Sequence, residues 1–327
     1  MAKILVTGGA GYVGSRAAKV LFEKGHDVTV VDKTAKENSS IPLPDKISYI
    51  KGDLRDSSVC ERSVADKEYV LHLAANVGSL QYMHDHQAEI LQENSAIDAQ
   101  LYPAMAKNKM CGVVYSSSSM VFQHPEKFPY REIDIDAIRP PKNIYGFSKL
   151  LGEKFCKAYS ANYGLQYAII RYHNIYGPGE DSKGASPGDI HVIPALLEKI
   201  LVKKQYPLEI LGDPLATRPF VFVDDAVEAT VKILEEMVAG NRNVINTDFN
   251  IGNNRHLTIL ELAEFIWNLV GDERDFKYKL VPTDANTALR REVNIEKIQK
   301  TIGWNPITDL KEGVLLTAQW IRERGNN

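Results

Sequence analysis

A glycine-rich turn near the start of the chain constrains the fold more than any other feature of the sequence. Gly8, Gly11 and Gly14 lie between a short apolar run at residues 4–6 and a helical pattern at residues 15–24. Glycine permits a tight turn, brings backbone N–H groups close to a pyrophosphate and lets a helix pack closely on a strand. The N-terminus of such a helix adds partial positive charge. The spacing therefore predicts the first strand, turn and helix of a dinucleotide-binding sheet.

Short apolar runs continue to alternate with helical patterns as far as about residue 170. These runs are apolar on both faces, as strands of a parallel sheet covered by helices must be. They lie at residues 28–31, 47–50, 69–73, 112–115 and 167–170. The alternation predicts an α/β fold with a Rossmann-type, doubly wound parallel sheet.

The second half of the chain has a different character. Residues 174–191 are rich in Gly, Pro and charge, which is typical of a long irregular loop. Residues 220–223 look like another buried strand, followed by a helix from 224 to about 238. Further on, Thr258 with Glu261 three residues later has the spacing of a capping box for a helix that ends near Val270.

The patterns do not fall into two separate sequence blocks, so we expect an interleaved architecture. A Rossmann domain is predicted at residues 1–173, joined by a returning strand and helix at about 219–239. The remaining residues, 174–218 and 240–327, are predicted to form a smaller C-terminal substrate lobe.

Composition excludes several classes of partner. The 327 residues carry a net charge of −3, which gives no electrostatic footprint for nucleic acid or a membrane surface. No apolar stretch approaches the ~18 residues that suggest a membrane span. The three cysteines are expected to be buried, reduced thiols, which favours a cytoplasmic location. No His or Cys cluster has metal-ligand spacing, so no metal is predicted.

The second predicted strand ends in a carboxylate that favours NAD. Asp32 lies eighteen residues beyond Gly14, where it can accept hydrogen bonds from ribose hydroxyls and repel a 2′-phosphate. Lys33 next to it weakens this preference, because a cation accommodates such a phosphate. After the third strand, Asp53 can accept from the adenine amino group while Leu54 packs on the ring.

A tyrosine and a lysine four residues apart form the candidate reactive pair. Tyr145 and Lys149 open a helical pattern, so both side chains lie on one helix face. A lysine cation and the positive nicotinamide ring would lower the pKa of the phenol from its usual value near ~10. The phenolate can then take a proton from a sugar hydroxyl while hydride leaves for NAD. The serines at 116–119 follow the fifth strand, at the edge where ligands bind in such sheets.

Together these segments resemble the extended short-chain dehydrogenase/reductase family, in its branch of nucleotide-sugar epimerases and dehydratases. The resemblance covers nearly the whole chain. It implies a Rossmann domain that binds NAD, a smaller lobe that holds a nucleoside diphosphate sugar, and a homodimer through helices around 88–108 and 146–162. The matching segments are residues 6–14, 52–54, 72–75, 116–122, 145–149, 171–178, 191–194, 211–213, 218–225, 249–252 and 302–306.

By position, the resemblance assigns three sets of residues. The catalytic set is Ser118, Tyr145 and Lys149. The expected cofactor contacts are Gly8, Gly11, Tyr12, Val13, Asp32, Lys33, Asp53, Leu54, Leu73, Ala74, Ala75, Asn94, Ser116, Tyr145, Lys149 and Tyr172. The expected substrate contacts are Ser118, Ser119, Asn174, His191, Val192, Arg218 and Arg290.

The family also implies which reactions fit. Ser118 is followed by Ser119 and Met120, so the acids of the dehydratases and decarboxylases and the cysteine of the GDP-mannose 3,5-epimerases are missing. Epimerisation at carbon 4 remains, since it needs only the Ser, Tyr and Lys set. The segments at 74–78 and 171–178 nevertheless look like those of the 3,5-epimerases. A reductase or dehydrogenase with exchangeable cofactor and a non-catalytic NAD sensor are further alternatives.

Two departures from the family concern the substrate. Val281 stands where many 4-epimerases have a second arginine for the diphosphate, just before the segment 282–284. Arg290 or Arg291 is expected to take its place. The roles of His173 and His191 stay open, between contacts with the sugar or base and a purely structural or solvent-facing position.

Overall fold

Parallel strands dominate the molecule, as seen in a computed structural model that describes residues 1–123, 127–180, 191–282 and 288–325. The strands are β1 (Lys3–Thr7), β2 (Asp27–Asp32), β3 (Ser48–Lys51), β4 (Tyr69–His72), β5 (Gly112–Ser118), β6 (Gln166–Tyr172), β7 (Ile175–Tyr176), β8 (Leu208–Leu211), β9 (Thr217–Pro219), β10 (Val221–Phe222), β11 (Thr247–Ile251), β12 (His256–Thr258) and β13 (Tyr278–Val281). The α-helices are α1 (Tyr12–Glu23), α2 (Ser57–Val64), α3 (Leu80–Asp85), α4 (Gln87–Lys107), α5 (Ile144–Tyr163), α6 (Val192–Leu201), α7 (Val223–Val238), α8 (Ile259–Val270), α9 (Glu296–Ile302) and α10 (Leu310–Gly325).

The central sheet has seven strands in the order β11-β6-β5-β4-β1-β2-β3, and every pair is parallel. The chain builds outward from β1 to β3, then returns to the other side of β1 with β4. At this reversal the connections leave toward opposite faces, which opens a crevice at the carboxyl ends of β1 and β4. The predicted doubly wound Rossmann sheet is confirmed.

Alternate residues of each central strand join different cores, one on each face of the sheet. On β1, Ile4 and Val6 belong to the core under α1 and α7, whereas Leu5 belongs to the core under α2, α4 and α5. All three side chains are fully buried. A strand apolar on both faces is stable only when helices cover both, which is why these runs lack a polar alternation.

The edge strand of the sheet differs from the prediction. Residues 220–223 were expected to form the returning strand, but only Val221 and Phe222 are extended, and they pair with β7 outside the central sheet. Helix α7 begins already at Val223, since Asp224 and Asp225 in its first turn favour a helix N-terminus. The seventh strand is instead β11 at residues 247–251, within the segment that was assigned to the smaller lobe.

Three short strand pairs lie outside the central sheet: β7 with β10, β9 with β12, and β8 with β13. The pair β9–β12 leads into α8, whose predicted capping box is confirmed. Thr258 Oγ1 accepts from the Glu261 N–H at 3.1 Å, and Glu261 accepts in return from the Thr258 N–H at 2.8 Å. The predicted loop at 174–191 lies partly outside the described residues, and so does the segment at 282–284.

Two further findings concern surface and location. None of the helices described is both long and apolar enough to cross a membrane. Cys60 and Cys156 are buried as expected, but Cys111 is exposed, which corrects the prediction of three buried thiols. Cys111 directly precedes β5, so its side chain lies at the strand end rather than within the core.

Candidate active site

One cavity of about 1190 Å³ runs along the crevice at the carboxyl edge of the sheet. Its lining comes from the ends of β1, β2, β4 and β5, from the start of α1, and from α6, β8 and β9. Most of the residues expected from the sequence to bind cofactor or substrate are part of this lining. Asn94 and Arg290 are the two that are not.

The glycine turn forms the wall of the cavity below α1. Gly8 has a φ of +66°, and a Cβ there would lie 2.8 Å from the Ala74 backbone, so glycine lets the loops after β1 and β4 touch. No side chain caps α1 at its N-cap, Gly11. The first N–H groups of the helix, at Tyr12 and Val13, are therefore available to an anion, and the turn fits the pyrophosphate of a dinucleotide.

Gly14 is the position in this turn that tolerates a side chain least. A Cβ there would lie 2.1 Å from the Gly8 carbonyl oxygen, whereas a Cβ at Gly11 would meet that oxygen at 3.2 Å. We expect Gly14→Ala to lower the thermal midpoint strongly and to abolish NAD binding, because backbone atoms must move apart. Gly11→Ala is the matched control and should keep the fold with a smaller shift. Thermal unfolding with and without NAD measures both, and equal midpoints for the two variants would contradict the packing argument.

The carboxylate of Asp32, at the end of β2, is hydrogen-bonded to the glycine turn. It accepts from the Ala10 N–H at 3.0 Å and from the Thr34 N–H at 2.9 Å, and so holds the turn against β2. Asp32 also lines the cavity, where its oxygens can meet a ribose. Lys33 lines the same region but its side chain is 68% exposed and its ammonium lies 3.9 Å from Glu93.

Asp53 and Leu54 lie at the end of the cavity beyond Asp32. Asp53 accepts hydrogen bonds from Arg55, whose Nε donates to Oδ1 and whose Nη2 donates to Oδ2. This hydrogen bonding lowers the pKa of the Asp53 carboxyl. Arg55 also reaches Glu93 at 3.2 Å. If Asp53 accepts from the adenine amino group as expected, its carboxylate also remains hydrogen-bonded to Arg55, which the sequence pattern did not indicate.

Asn94 acts behind the cavity wall. Its side-chain oxygen accepts from the Asn76 N–H at 2.6 Å, and its amide donates to the Asn76 carbonyl at 3.1 Å and to the Ser148 hydroxyl at 3.0 Å. The loop after β4, which brings Leu73, Ala74 and Ala75 to the cavity, is therefore tied to α4 and α5. Asn94 therefore holds a loop of the cavity wall without lining the cavity itself.

Ser118, Tyr145 and Lys149 converge in the middle of the cavity. Ser118 ends β5, and Tyr145 and Lys149 lie one turn apart on α5, whose N-cap Asn143 accepts from the Gly146 N–H. The Ser118 hydroxyl and the Tyr145 phenol are hydrogen-bonded. The Lys149 ammonium donates to the Ser116 carbonyl at 2.8 Å. All three catalytic candidates are more than nine-tenths buried.

Burial dominates the protonation of this group. It raises the pKa of Tyr145 to about 12, against a smaller lowering by the hydrogen bond from Ser118. Lys149 does not contribute to this balance, and its ammonium lies 6.0 Å from the phenol ring centroid. The lowering expected from the lysine and the nicotinamide ring together stays a prediction for the site with NAD bound. Burial also lowers the pKa of Lys149 to about 8, opposed by the negative charge of Asp98.

Two buried arginines line the cavity beyond Met120. Arg218 and Arg291 are 7% and 6% exposed, and in the described part of the chain no carboxylate contributes to the charge balance of either. Burial and the charge of Arg291 lower the pKa of Arg218 to about 9, so the guanidinium stays charged at neutral pH. Buried cations without an acidic partner are the arrangement that a bound anion completes.

Arg290 does not belong to this set. It donates to Glu292 and lies over the Phe128 ring at 4.6 Å, and its side chain is 56% exposed. Arg291 takes the cavity position instead, with its Nη2 2.7 Å from the Met120 sulfur. The expectation that Arg290 lies in the substrate site is thus corrected. Backbone pairing of Arg291 with Thr217 turns the neighbouring side chains to opposite sides.

The other substrate candidates lie along the cavity, except for one histidine. Asn174 donates to the Pro219 carbonyl at 2.9 Å, and His191 is hydrogen-bonded to Glu180, whose charge raises the pKa of the imidazole. His173 is fully buried between Tyr130 and Asn250 and does not line the cavity, and burial lowers its pKa to about 3. The remaining candidates that line the cavity are Ser119, Val192 and Tyr172.

Sequence reasoning did not find the far end of the cavity. Lys199, Glu209 and Trp320 line it, and the Lys199 ammonium donates to the Glu209 carbonyl at 2.8 Å. A helical signal was present, because Lys199 follows Val192 by seven residues and both lie on one face of α6. Trp320 comes from α10, far along the chain, and no spacing connects it to the other residues.

Comparison with known proteins identifies the family of this chain. The family model "NAD dependent epimerase/dehydratase family" matches residues 4–252. The chain belongs to the NAD-dependent epimerase/dehydratase family. Its cofactor is NAD, and it is a nucleotide-sugar epimerase/dehydratase of the extended short-chain dehydrogenase/reductase type.

Individual relatives cover nearly the whole length of this family member. It is 32% identical to a Methanocaldococcus jannaschii protein with the provisional name UDP-glucose 4-epimerase, over 98% of both chains. It is 27% identical to the GDP-mannose 3,5-epimerase of Arabidopsis thaliana, over 98% of this chain and 82% of that protein. The crystal structure of the Thermotoga maritima UDP-glucose 4-epimerase with UDP-glucose is similar with a TM-score of 0.84, at 28% identity over 98% and 99% of the two chains.

Proposed function

We propose that the protein interconverts the carbon-4 epimers of a nucleoside diphosphate sugar. One observation carries the proposal: in the part of the chain that the structure describes, the wall around the Tyr145 hydroxyl offers no acid or base beyond Ser118 and Lys149. Tyr145 packs with Met83, Ile90 and Met120, and its hydrogen-bond partner is the Ser118 hydroxyl. Loss of water or of a carboxyl group needs a further proton donor or acceptor at the sugar, whereas reversible oxidation at carbon 4 does not.

In this reaction each of the three residues has a separate task. NAD, which the glycine turn and Asp32 would hold, would supply the hydride acceptor and donor and a positive ring that favours ionisation of the nearby phenol. Tyr145 removes the proton from the 4-hydroxyl group and gives it back to the 4-keto intermediate. Ser118 hydrogen-bonds the same oxygen of the sugar. Lys149 binds the nicotinamide ribose, and its positive charge stabilises the nearby phenolate. Between the two hydride transfers the keto sugar must rotate so that its other face meets the nicotinamide. This rotation needs space in the cavity and no further side chain.

The cations beyond Met120 are suited to the diphosphate of the substrate. Arg218 and Arg291 are buried and lack acidic partners in the described residues, and Lys199 lies farther along the same cavity. Guanidinium groups bind phosphate oxygens through paired hydrogen bonds. We propose that Arg291 replaces the arginine that is missing at Val281, and that Asn174 and His191 contact the substrate between the sugar and the base.

A panel of UDP-, GDP-, CDP- and dTDP-linked sugars tests the reaction, with the configuration at carbon 4 followed by NMR. We expect one pair of 4-epimers to equilibrate from either side without net NADH. A stable keto product would support a dehydratase, and net NADH or consumption of NADH would support a reductase. Inversion at carbons 3 and 5 would support the 3,5-epimerase alternative. Each of these three results would overturn the 4-epimerase proposal.

The pKa of Lys149 sets an expectation for pH dependence. Because burial lowers this pKa to about 8, the ammonium is present below that pH and is lost as pH rises through it. NAD binding to the chain should therefore weaken on the alkaline side, where the lysine no longer donates as a cation. Titration calorimetry between pH 6 and pH ~10 measures this. Lys149→Met is the control, and it should bind more weakly with no break near that pH.

The homodimer also remains a proposal. Phe147 on α5 is 40% exposed, but Phe155 and Tyr159 already pack on Tyr102 of α4, at centroid distances of 5.4 Å each. The apolar stripe on α5 is thus partly used inside the chain. We expect Phe147→Glu to shift the mass measured by light scattering from dimer to monomer, and a wild-type monomer would contradict the dimer.

A further inference from the structure

A chain of buried hydrogen bonds runs behind Lys149, on the side away from the cavity. Thr7 at the end of β1 bonds to His72 at the end of β4, with 2.7 Å between Oγ1 and Nδ1. His72 Nε2 lies 3.0 Å from Oδ1 of Asp98 on α4. His72 is 1% exposed and Asp98 is 3% exposed, and neither lines the cavity. The function proposed above leaves this group without a role.

The hydrogen bonds of Thr7 assign the protonation state of His72. The Thr7 hydroxyl oxygen accepts from the Ala74 N–H at 3.2 Å and from the Leu73 N–H at 3.1 Å. The Leu73 N–H also donates to the Thr7 carbonyl. With its lone pairs engaged, the hydroxyl donates its own hydrogen to Nδ1 of His72. This nitrogen is then unprotonated, and Nε2–H donates to Asp98. His72 is a neutral imidazole, so it does not neutralise the Asp98 carboxylate.

Few other groups can neutralise that carboxylate. The titratable groups that face Asp98 from the surrounding elements are His72 (β4), Tyr102 (α4), Tyr115 (β5), and Lys149 and Cys156 (α5). Burial raises the pKa of both phenols and of the thiol, so these three are uncharged at neutral pH. Among the described residues, Lys149 is the one cation in this set.

Neighbouring charges do not change this balance. Glu153 also acts on Tyr115 and Cys156, but both of its oxygens accept from the Arg171 guanidinium at 2.8 Å. Lys149 itself faces the Tyr115 ring at 5.2 Å, the Tyr145 ring at 6.0 Å and the Ser116 carbonyl, all of them uncharged. Its negative neighbour is therefore Asp98.

A glycine permits this juxtaposition. Gly152 lies three residues after Lys149 on α5, and a Cβ there would come within 2.8 Å of Asp98 Oδ2 and 1.9 Å of the Tyr115 hydroxyl. Any side chain at this position would push α4 and its carboxylate away from α5. Asp98 of α4 therefore reaches the backbone of α5 one turn from the reactive lysine.

We propose that Asp98 is a positioning residue whose carboxylate, left charged by the neutral His72, keeps Lys149 in its ammonium form. The role in turnover rests on the proposed function, but the effect of the Asp98 charge on Lys149 does not. Burial alone would favour a neutral lysine, and the opposite charge resists this. Asp98 does not line the cavity, whereas Lys149 does, so the carboxylate acts on the ammonium through space from the protein side.

Asp98→Asn separates charge from shape, because the amide oxygen can still accept from His72 Nε2–H. In NAD-loaded protein labelled with ¹³C-lysine, we expect the Lys149 titration to move down by about one unit or more. The alkaline limb of kcat should move by the same amount, with activity recovered at lower pH. Tyr102→Phe alters the same helix contact without changing charge, and should leave the titration in place. The Lys149 resonance is assigned as the lysine signal that is missing from the spectrum of the Lys149→Met protein.

Two outcomes would overturn the proposal. One is a Lys149 titration that is the same in Asp98→Asn and wild type, with kcat lowered equally at every pH. The other is a doubly protonated His72 in the wild-type ¹⁵N imidazole spectrum, which needs no variant and decides the matter if Asp98→Asn does not fold. A protein that turns over no sugar but shows the titration shift would refute the proposed function and keep this inference.

Discussion

Tyr145→Phe should reduce turnover by about 1,000-fold, within the usual contribution of a general base. The change removes one oxygen atom that has its hydrogen bond with Ser118, and leaves the ring between Met83, Ile90 and Met120. NAD binding should persist, because the glycine turn and Asp32 are untouched. The measurement is kcat on the 4-epimer pair identified in the sugar panel, with bound NAD quantified after denaturation.

Tyr163→Phe is the matched control for this variant. Tyr163 lies on the same helix, at its last residue, and is 65% exposed. Its turnover should stay within a factor of about two of wild type, as for surface changes away from a site. If Tyr145→Phe also kept its activity, the base would have to be another group and the assignment would fall.

Arg291→Met should weaken substrate binding by at least about 30-fold, since loss of a buried charged partner costs about 2 kcal/mol or more. Methionine fills similar volume beside Met120 and removes only the charge. The free protein should not lose stability, because an unpaired buried cation disappears with the guanidinium. A thermal midpoint equal to or above that of wild type, together with weak binding, distinguishes a ligand site from a structural arginine.

Arg290→Met provides the comparison one residue away. Arg290 is exposed and paired with Glu292, so binding of the nucleoside diphosphate should change by less than about twofold. Calorimetry with UDP and GDP measures both variants against wild type. Equal losses in the two variants, or a loss confined to Arg290→Met, would contradict the placement of Arg291 in the substrate site.

The difference between these two arginines shows where sequence reasoning ends. Both follow the segment at 283–287, and local pattern does not tell which of two neighbours faces inward. The side is decided by backbone pairing with Thr217, whose N–H donates to the Leu289 carbonyl and whose carbonyl accepts from the Arg291 N–H. That contact joins residues more than seventy positions apart, so no short window contains it.

The edge strand was missed for a related reason. β11 carries polar residues inside its apolar run: Asp248 pairs with Arg171 and Lys297, and Asn250 meets His173. The central strands were predicted from runs that are apolar on both faces, and β11 does not have such a run. The glycine turn and the Tyr145–Lys149 pair were accessible because their whole signal lies within a few residues and one element boundary.

The position of β11 limits how the protein could be divided or recombined. The strand completes the sheet beside β6, yet it follows β8 and β9 in the chain, which line the distal part of the cavity. A truncated cofactor fragment ending before residue 208 would leave the backbone groups of β6 unpaired along one edge, open to pairing with another chain. Chimeras that exchange substrate preference with a relative should therefore keep residues 247–251 with the parent sheet, and take the flanking segments as two separate inserts.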